Sequence, residues 1–417
     1  MLKGRNIYIM LCIILGVMEI SSAQNHLNAP YSRFGMGELK NRSSAGVMAI
    51  GGTGYTLQSP TIVNFTNPAS YMGFDTLSFL MEAAFSWKSH TLIASTSQRG
   101  NTLQFEYLSC GFSIARWWKT AIGLQPYSIM NFTEIETTDT LTRTFTGDGG
   151  VNEIYWGNSF RLFKDFSIGI NASFLFGTYS KYRTMEWSDA YFFNTKADIS
   201  NKIQGAVITA GVQYFIPIKG KRELGLGFVY TPSIPIKSTE TQITSTYWGK
   251  DYNITPLDTL YPETDRKHSL KMPMHIGGGI SWSKKNKYFV GIDFTWVNWS
   301  HYAIDKVNDN LSDLYKISIG GSYTPNYLSN KLFPRITISL GANFEQTHLF
   351  LEGEHLKRFG INFGLLFPLK RSKTGFGIVL EYGQTGTTQY NLIQENYFTA
   401  TINIRIHERW YQRTKLD

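Results

Sequence analysis

The stretch Tyr397-Phe-Thr-Ala-Thr-Ile-Asn-Ile-Arg-Ile-His-Glu-Arg-Trp-Tyr411 alternates through its middle without a break. Phe398, Ala400, Ile402, Ile404 and Ile406 share one parity, and Thr399, Thr401, Asn403 and Arg405 share the other. A period of two, rich in β-branched and aromatic residues, puts every apolar side chain on one face of a strand and does not fit a helix. The run ends in the aromatic pair Trp410-Tyr411 and a short basic tail. The same pattern recurs along the chain. Ile336, Ile338, Leu340, Ala342 and Phe344 alternate with Thr337, Ser339, Gly341, Asn343 and Glu345, and Phe359, Ile361, Phe363, Leu365 and Phe367 alternate with Arg358, Gly360, Asn362, Gly364 and Leu366. The second set is mostly small and polar, with a few charges such as Asp293, Lys316, Glu381 and Arg405. Apolar-out, polar-in alternation is the dyad signature of a membrane barrel. A soluble sandwich packs its apolar face inward and keeps its charges outside.

From Leu77 onward about fourteen such patterns occur, at roughly 77–87, 101–115, 118–133, 150–161, 166–184, 203–218, 223–238, 268–282, 286–299, 313–325, 334–345, 355–368, 374–385 and 394–408. Links after odd-numbered strands are generally long, the longest being Thr239 to Lys267, and the second runs over the Thr- and Asp-rich stretch Glu134 to Gly149. Most links after even-numbered strands are short: Arg116-Trp117, Leu162 to Asp165, Lys219 to Arg222, Ser283 to Lys285 and Leu369 to Lys373. That alternation predicts an all-β fold, a transmembrane antiparallel β-barrel of about 14 strands over 77–417. Its long loops face outward, and its tight turns and both chain ends face the periplasm.

The chain opens with a targeting segment. Lys3 and Arg5 form a positive region, Ile7 to Val17 an apolar one, and Ser21-Ser22-Ala23 offers a cleavage site, so residues 1–23 read as a signal peptide. The apolar run is far short of the roughly 20 residues a spanning helix needs. Cys12 lies inside it, which leaves Cys110 alone in the mature chain and excludes an internal disulfide. An aromatic content of 15% and a charged content of 17% fit a surface facing lipid between aromatic girdles. The net charge of +9 is dispersed, with small concentrations in turns such as Lys219-Gly-Lys-Arg222 and Lys370-Arg-Ser-Lys373. It points to anionic outer-membrane lipid or lipopolysaccharide headgroups, and no nucleic-acid partner is expected.

Residues 24–76 lack a strand pattern. They hold Gly51-Gly52-Thr53-Gly54 and Asn67-Pro68-Ala69, both turn-forming, among apolar residues too numerous for a disordered tail. The predicted place for such a segment is inside the lumen, as an N-terminal plug, with Gly51, Gly52, Gly54, Asn67, Pro68 and Ala69 as candidate gate residues. Prolines break several strand patterns. Pro232, Pro235 and Pro273 fit strand extensions above the membrane, whereas Pro126 falls inside a membrane-length pattern and marks a bulge or gap.

The glycine-rich segment before Asn67-Pro68-Ala69, the segments Gly123-Leu-Gln-Pro-Tyr and Gly225-Leu-Gly-Phe-Val-Tyr-Thr-Pro, and the Trp410-Tyr411 ending carry a resemblance. The chain resembles the FadL-like family of outer-membrane transporters of long-chain fatty acids and other hydrophobic compounds, in its divergent Bacteroidota branch. The resemblance implies a fourteen-stranded barrel plugged by its N-terminal segment, with hydrophobic molecules leaving sideways beside a kinked third strand. Pro126 would sit near that kink. No long apolar outer helix matches the family's ligand-capturing loops.

No enzyme signature is present. The eight histidines have no metal-ligand spacing, and Gly51-Gly52-Thr53-Gly54 lacks the lysine of a phosphate loop. His348 and His355, with Glu345, Glu352 and Glu354, read as a solvated outer loop. Asp305, Asn308, Asp309, Asn310 and Asp313 lack the EF-hand spacing. Neither catalysis nor a cofactor or metal is therefore expected. The expected function is passive uptake of hydrophobic or amphipathic small molecules across the cell outer membrane. The alternative is a non-transporting barrel that docks envelope protein partners in an outer-membrane assembly or secretion machinery.

Overall fold

Strands whose two faces differ this sharply need an apolar exterior and a polar interior, and the chain meets that demand by closing its sheet on itself. The computed structural model describes residues 28–189, 191–249, 257–305, 307–308, 311–369 and 372–409. The signal peptide expected at 1–23, the mature start at Gln24, Asp309-Asn310, Lys370-Arg371 and the Trp410-Tyr411 ending lie outside the described residues.

The strands are β1 (Ser78–Ile93), β2 (Ser97–Ser113), β3 (Trp118–Ile129, continuing as Phe132–Thr137), β4 (Leu141–Phe163), β5 (Phe166–Trp187), β6 (Asn194–Ile218), β7 (Arg222–Thr231 and Pro235–Tyr247), β8 (Asp258–Lys271 and His275–Lys284), β9 (Tyr288–Val297), β10 (Leu314–Tyr323), β11 (Thr337–Leu351), β12 (Glu354–Pro368), β13 (Gly375–Thr385) and β14 (Gln394–Arg409). Each pairs antiparallel with the next. β14 returns to β1 from Ile93↔Gln394 to Ser78↔Arg409, which closes a 14-strand barrel and leaves no edge. Parity behaves as the alternation requires: Ile402 is 56% exposed on the outer face and its neighbour Asn403 1% exposed inside. No helix among the described residues is long and apolar enough to cross a membrane.

Two of the expected loops are strands. Glu134 to Gly149 forms the ends of β3 and β4 with a turn between them, and much of Thr239 to Lys267 continues β7 and β8. These stretches are rich in Thr and Ser and lack alternation, because a ladder projecting beyond the apolar band presents both faces to water. Length alternation therefore takes the form of tall hairpins at one end, here the hairpin end, and compact turns at the other, the turn end. Pro232 and Pro235 lie at the break within β7, and Pro273 lies at the break within β8, below these extensions.

The wall is irregular around Pro126. β2 and β3 pair only from Ser113↔Lys119 to Leu108↔Leu124. Beyond Leu124, β3 follows β4 with a register shift between Pro126 and Ser128. Its other edge is taken by a two-residue strand from the N-terminal segment, Glu38↔Ile129 and Leu39↔Ser128, which the sequence reading did not foresee.

Candidate functional site

The N-terminal segment, residues 28–77, touches the inner face of strands around the circle. At the hairpin end Ala29 N donates to Asn131 O at 2.8 Å, and Tyr31 Oη donates to Ile393 O at 2.6 Å. Lys40 N donates to Tyr127 O at 3.0 Å, one residue past Pro126. A single helical turn, Ala45–Met48, then packs near β12, β13 and β14. Gly51 and Gly52 follow with φ of +69° and +89°, the left-handed region that glycine adopts without strain. A Cβ on Gly51 would stand 2.6 Å from the Ala342 nitrogen of β11, so the turn needs glycine for proximity as well as for φ.

Gly54 and Tyr55 donate their backbone N–H groups to one carboxylate oxygen of Asp293 on β9, at 2.7 and 2.8 Å. Asn67 completes the joint. Its side chain accepts from Ala69 N at 3.0 Å, capping the 3-10 turn Pro68–Gly73, and donates to Tyr55 O at 2.8 Å and Val212 O at 3.2 Å. The candidate residues Gly54 and Asn67-Pro68-Ala69 are thus linked through Tyr55. Gly51 and Gly52 lie just ahead of them, and Pro126 belongs to an earlier part of the path, beside Lys40. Asp75 ends the segment against Lys373 and, at 3.0 Å, His407 Nε2.

Three layers fill the interior. At the hairpin end an apolar layer joins Met36 to buried side chains of β3 to β8, β11 and β12, with Trp299 and Tyr302 from the link after β9. His348, expected in a solvated loop, is instead buried here, stacked on Trp299 with ring centroids 4.8 Å apart, whereas Glu352 at the turn beyond it is exposed. At the turn end a second apolar cluster includes Val63, Phe65, Tyr71 and Phe74 of the segment with Leu80, Tyr107 and Tyr155 of the wall.

Between them runs a belt of charge. Glu38 lies 2.9 Å from Arg358 and 3.9 Å from Lys88, Lys88 lies 2.7 Å from Glu395, and His90 lies 3.1 Å from Glu395. Arg42 lies 3.4 Å from Glu153, which also accepts from Gln125 Nε2 at 3.0 Å. A cavity of about 250 Å³ adjoins this belt, lined by charged residues such as Arg42, Glu153 and Arg358 and by apolar ones such as Phe65, Val207 and Met272. Lys88, Arg358 and Glu395 were not singled out from sequence, although a charge at the polar parity of a membrane-length strand is a usable signal. Among the described residues of the Asp305 cluster, Asp305 pairs with His268 at 2.5 Å, whereas Asp313 accepts from Trp296 Nε1 at 3.0 Å. Among the described residues no group of three or more His, Cys, Asp or Glu side chains is placed to hold a metal ion.

The architecture is a closed 14-strand antiparallel β-barrel whose fold is like that of FadL-type channels. It is similar to the CymD monoaromatic hydrocarbon channel, with a TM-score of 0.58 and 12% identity over 89% of this chain and 98% of that one. A FadL homologue of Pseudomonas aeruginosa matches at TM-score 0.57 and 10% identity over 88% and 98%. The toluene transporter TodX of Pseudomonas putida matches at TM-score 0.57 and 13% identity over 88% and 98%. At such identities the likeness is one of fold. No curated protein matches the sequence. Sequence membership comes from a different direction: the BamG family matches residues 1–417, and this barrel belongs to the BamG family.

Proposed function

We propose that this protein is a plugged, non-conducting barrel of the cell outer membrane that docks other envelope proteins, with residues 24–76 as its plug and 77–417 as its barrel. The observation that carries this reading is the filled interior. An apolar layer joined to Met36 lies at the hairpin end, and below it the 250 Å³ space is bounded by charged side chains together with apolar ones such as Phe65, Val207 and Met272. A hydrophobic compound moving through that belt would displace water from ions and return no hydrogen bonds, at a cost of several kcal/mol for each ion desolvated. Outside, the exposed aliphatic and aromatic faces would meet lipid, with lipopolysaccharide around the hairpin end and the turns in the periplasm. The reading assigns no catalytic step and no cofactor.

One observation favours a second reading, passive uptake of hydrophobic or amphipathic molecules. β2 and β3 part beyond Leu108 and Leu124, beside Pro126, and the structural neighbours carrying this fold are named as hydrocarbon and toluene channels. Uptake by that route would require Glu38–Leu39 to leave the edge of β3.

Purification from native membranes in mild detergent, with lipid mass spectrometry and proteomics on one sample, separates the two. Stoichiometric protein partners without an enriched ligand support docking. A co-purifying hydrophobic molecule that is lost with Asn67→Ala and Pro68→Ala would replace docking by transport.

A further inference from the structure

The turn end holds a feature that a filled barrel does not require. A cavity of about 520 Å³ opens among the turns, floored by Gln58 to Ile62 of the N-terminal segment. Eight Lys or Arg residues line it, against two carboxylates, Asp165 and Glu223. Three of the eight are already engaged: Lys373 pairs with Asp75, Arg335 donates to the carbonyls of Leu369 and Ser372 at 3.1 and 3.2 Å, and Arg405 faces Glu82. Arg161, Lys164, Lys284, Lys285 and Lys287 have no carboxylate within 4 Å among the described residues. Deepest is Arg405, which is buried. It faces the buried carboxylate of Glu82 across the pairing of β14 with β1, and its Nη1 reaches Thr61 Oγ1 at 3.5 Å.

The excess of positive charge extends round this end. Each of the six turn-end links carries at least one Lys or Arg, and Asp165 is their one carboxylate. Like charges gathered in a concave site repel one another unless an anion joins them, and such a site focuses a positive potential on its mouth.

We propose that this vestibule is the docking site for an acidic segment of a periplasmic partner protein, held by Arg161, Lys164, Lys284, Lys285 and Lys287. The inference rests on the docking reading above and names the chemistry of its partner. Position argues for a peptide over a lipid. The vestibule lies within the ring of turns, whereas leaflet headgroups surround the outside of the wall, at the level of exposed Trp117 and Phe163. The rim argues the same way. The longest turn-end link runs between β10 and β11, contributes Tyr327 and Arg335 to the lining, and holds Leu328 and Phe333 at 86% and 82% exposure. A peptide can offer apolar side chains to such residues alongside its carboxylates, and a headgroup cannot.

The test uses the full chain in detergent and a fluorescent Glu- and Leu-containing peptide, followed by anisotropy, with a Lys-containing peptide as control. The acidic peptide is expected to bind, to weaken as salt rises, and to lose about tenfold or more in affinity with Arg161→Glu, Lys285→Glu and Lys287→Glu combined. Arg266→Glu with Lys267→Glu, at the hairpin end, should leave binding unchanged, and heat-modifiable migration on gels checks folding of every variant. Equal binding to the charge-reversed protein, or no binding at all, overturns the proposal. Displacement of the peptide by anionic phospholipid in nanodiscs, with tighter binding of the lipid, reassigns the site to headgroups and also overturns it. Native partners that still co-purify with the charge-reversed variant would end this proposal and leave the docking reading standing. Peptide binding by a wild-type protein that brings no partners from the membrane would do the reverse.

Discussion

Glu38 of the N-terminal segment lies 2.9 Å from Arg358 of β12, a contact between residues 320 positions apart in the chain. Lys88 of β1 stands 3.9 Å from the same carboxylate and 2.7 Å from Glu395 of β14. One acidic residue thereby ties the segment to a charge network spanning three wall strands. Charges at this depth are retained only when paired, and removing one partner strands the other.

Arg358→Leu leaves Glu38 with its more distant cation and is expected to destabilise the folded barrel by about 3 kcal/mol. The double variant Glu38→Gln with Arg358→Met should recover most of that loss. Urea unfolding in detergent reads both, and a single variant as stable as wild type would show that the pair contributes nothing net.

Gly51→Ala and Gly353→Ala separate two costs of glycine replacement. Both glycines have positive φ, +69° and +82°, but a Cβ on Gly353 meets nothing within 4 Å, whereas one on Gly51 meets Ala342 at 2.6 Å. Gly353→Ala should cost about 1 kcal/mol for backbone strain alone, and Gly51→Ala about 2–4 kcal/mol once overpacking is added. Limited proteolysis should cut the N-terminal segment faster in Gly51→Ala only.

Asp75 makes a pH-dependent fastening between the end of the segment and β14. Hydrogen bonding from His407, then from Lys373, outweighs partial burial and holds its carboxyl down at about 2, below the ordinary carboxylate range. A lowered value in the folded state means stability that is complete above the unfolded value, near ~4, and lost as pH falls through about 2. Solvent screening keeps the contribution below about 1 kcal/mol. Asp75→Asn should therefore unfold earlier than wild type at neutral pH, and the gap should close between about pH 4 and 2. A gap that persists at the acid end would assign the effect to packing.

Leu39 and Ser128 face each other across the short ladder beside Pro126. Opposed residues of an antiparallel pair have Cα atoms about 4.5–5.5 Å apart, within reach of a disulfide. In a Cys110→Ser background, Leu39→Cys with Ser128→Cys should cross-link on mild oxidation. Under the docking reading the cross-linked protein keeps its partners, and under the uptake reading it loses any co-purifying ligand.

Legibility followed the range of the interaction. Alternation around Ile402 and Asn403 reports a local property, the two faces of a pleated strand, so the wall and its strand count could be read directly. The Thr-rich ends of β7 and β8 could not, since a ladder standing in water needs no apolar parity. His348 was misread for a related reason: its stacking partner, Trp299, comes from another link. Pro126 announced an irregularity without saying what would occupy it.

By itself the sequence determined a closed, apolar-coated barrel with small polar residues inside, because period-two patterning repeated along the chain permits few other folds. Tertiary structure alone decided that Glu38 meets Arg358, that Leu39 takes the edge of β3, and that Arg405 faces a basic vestibule. Those outcomes depend on which residues, hundreds of positions apart, closure of the strand circle brings within hydrogen-bonding distance, and local periodicity carries no record of it.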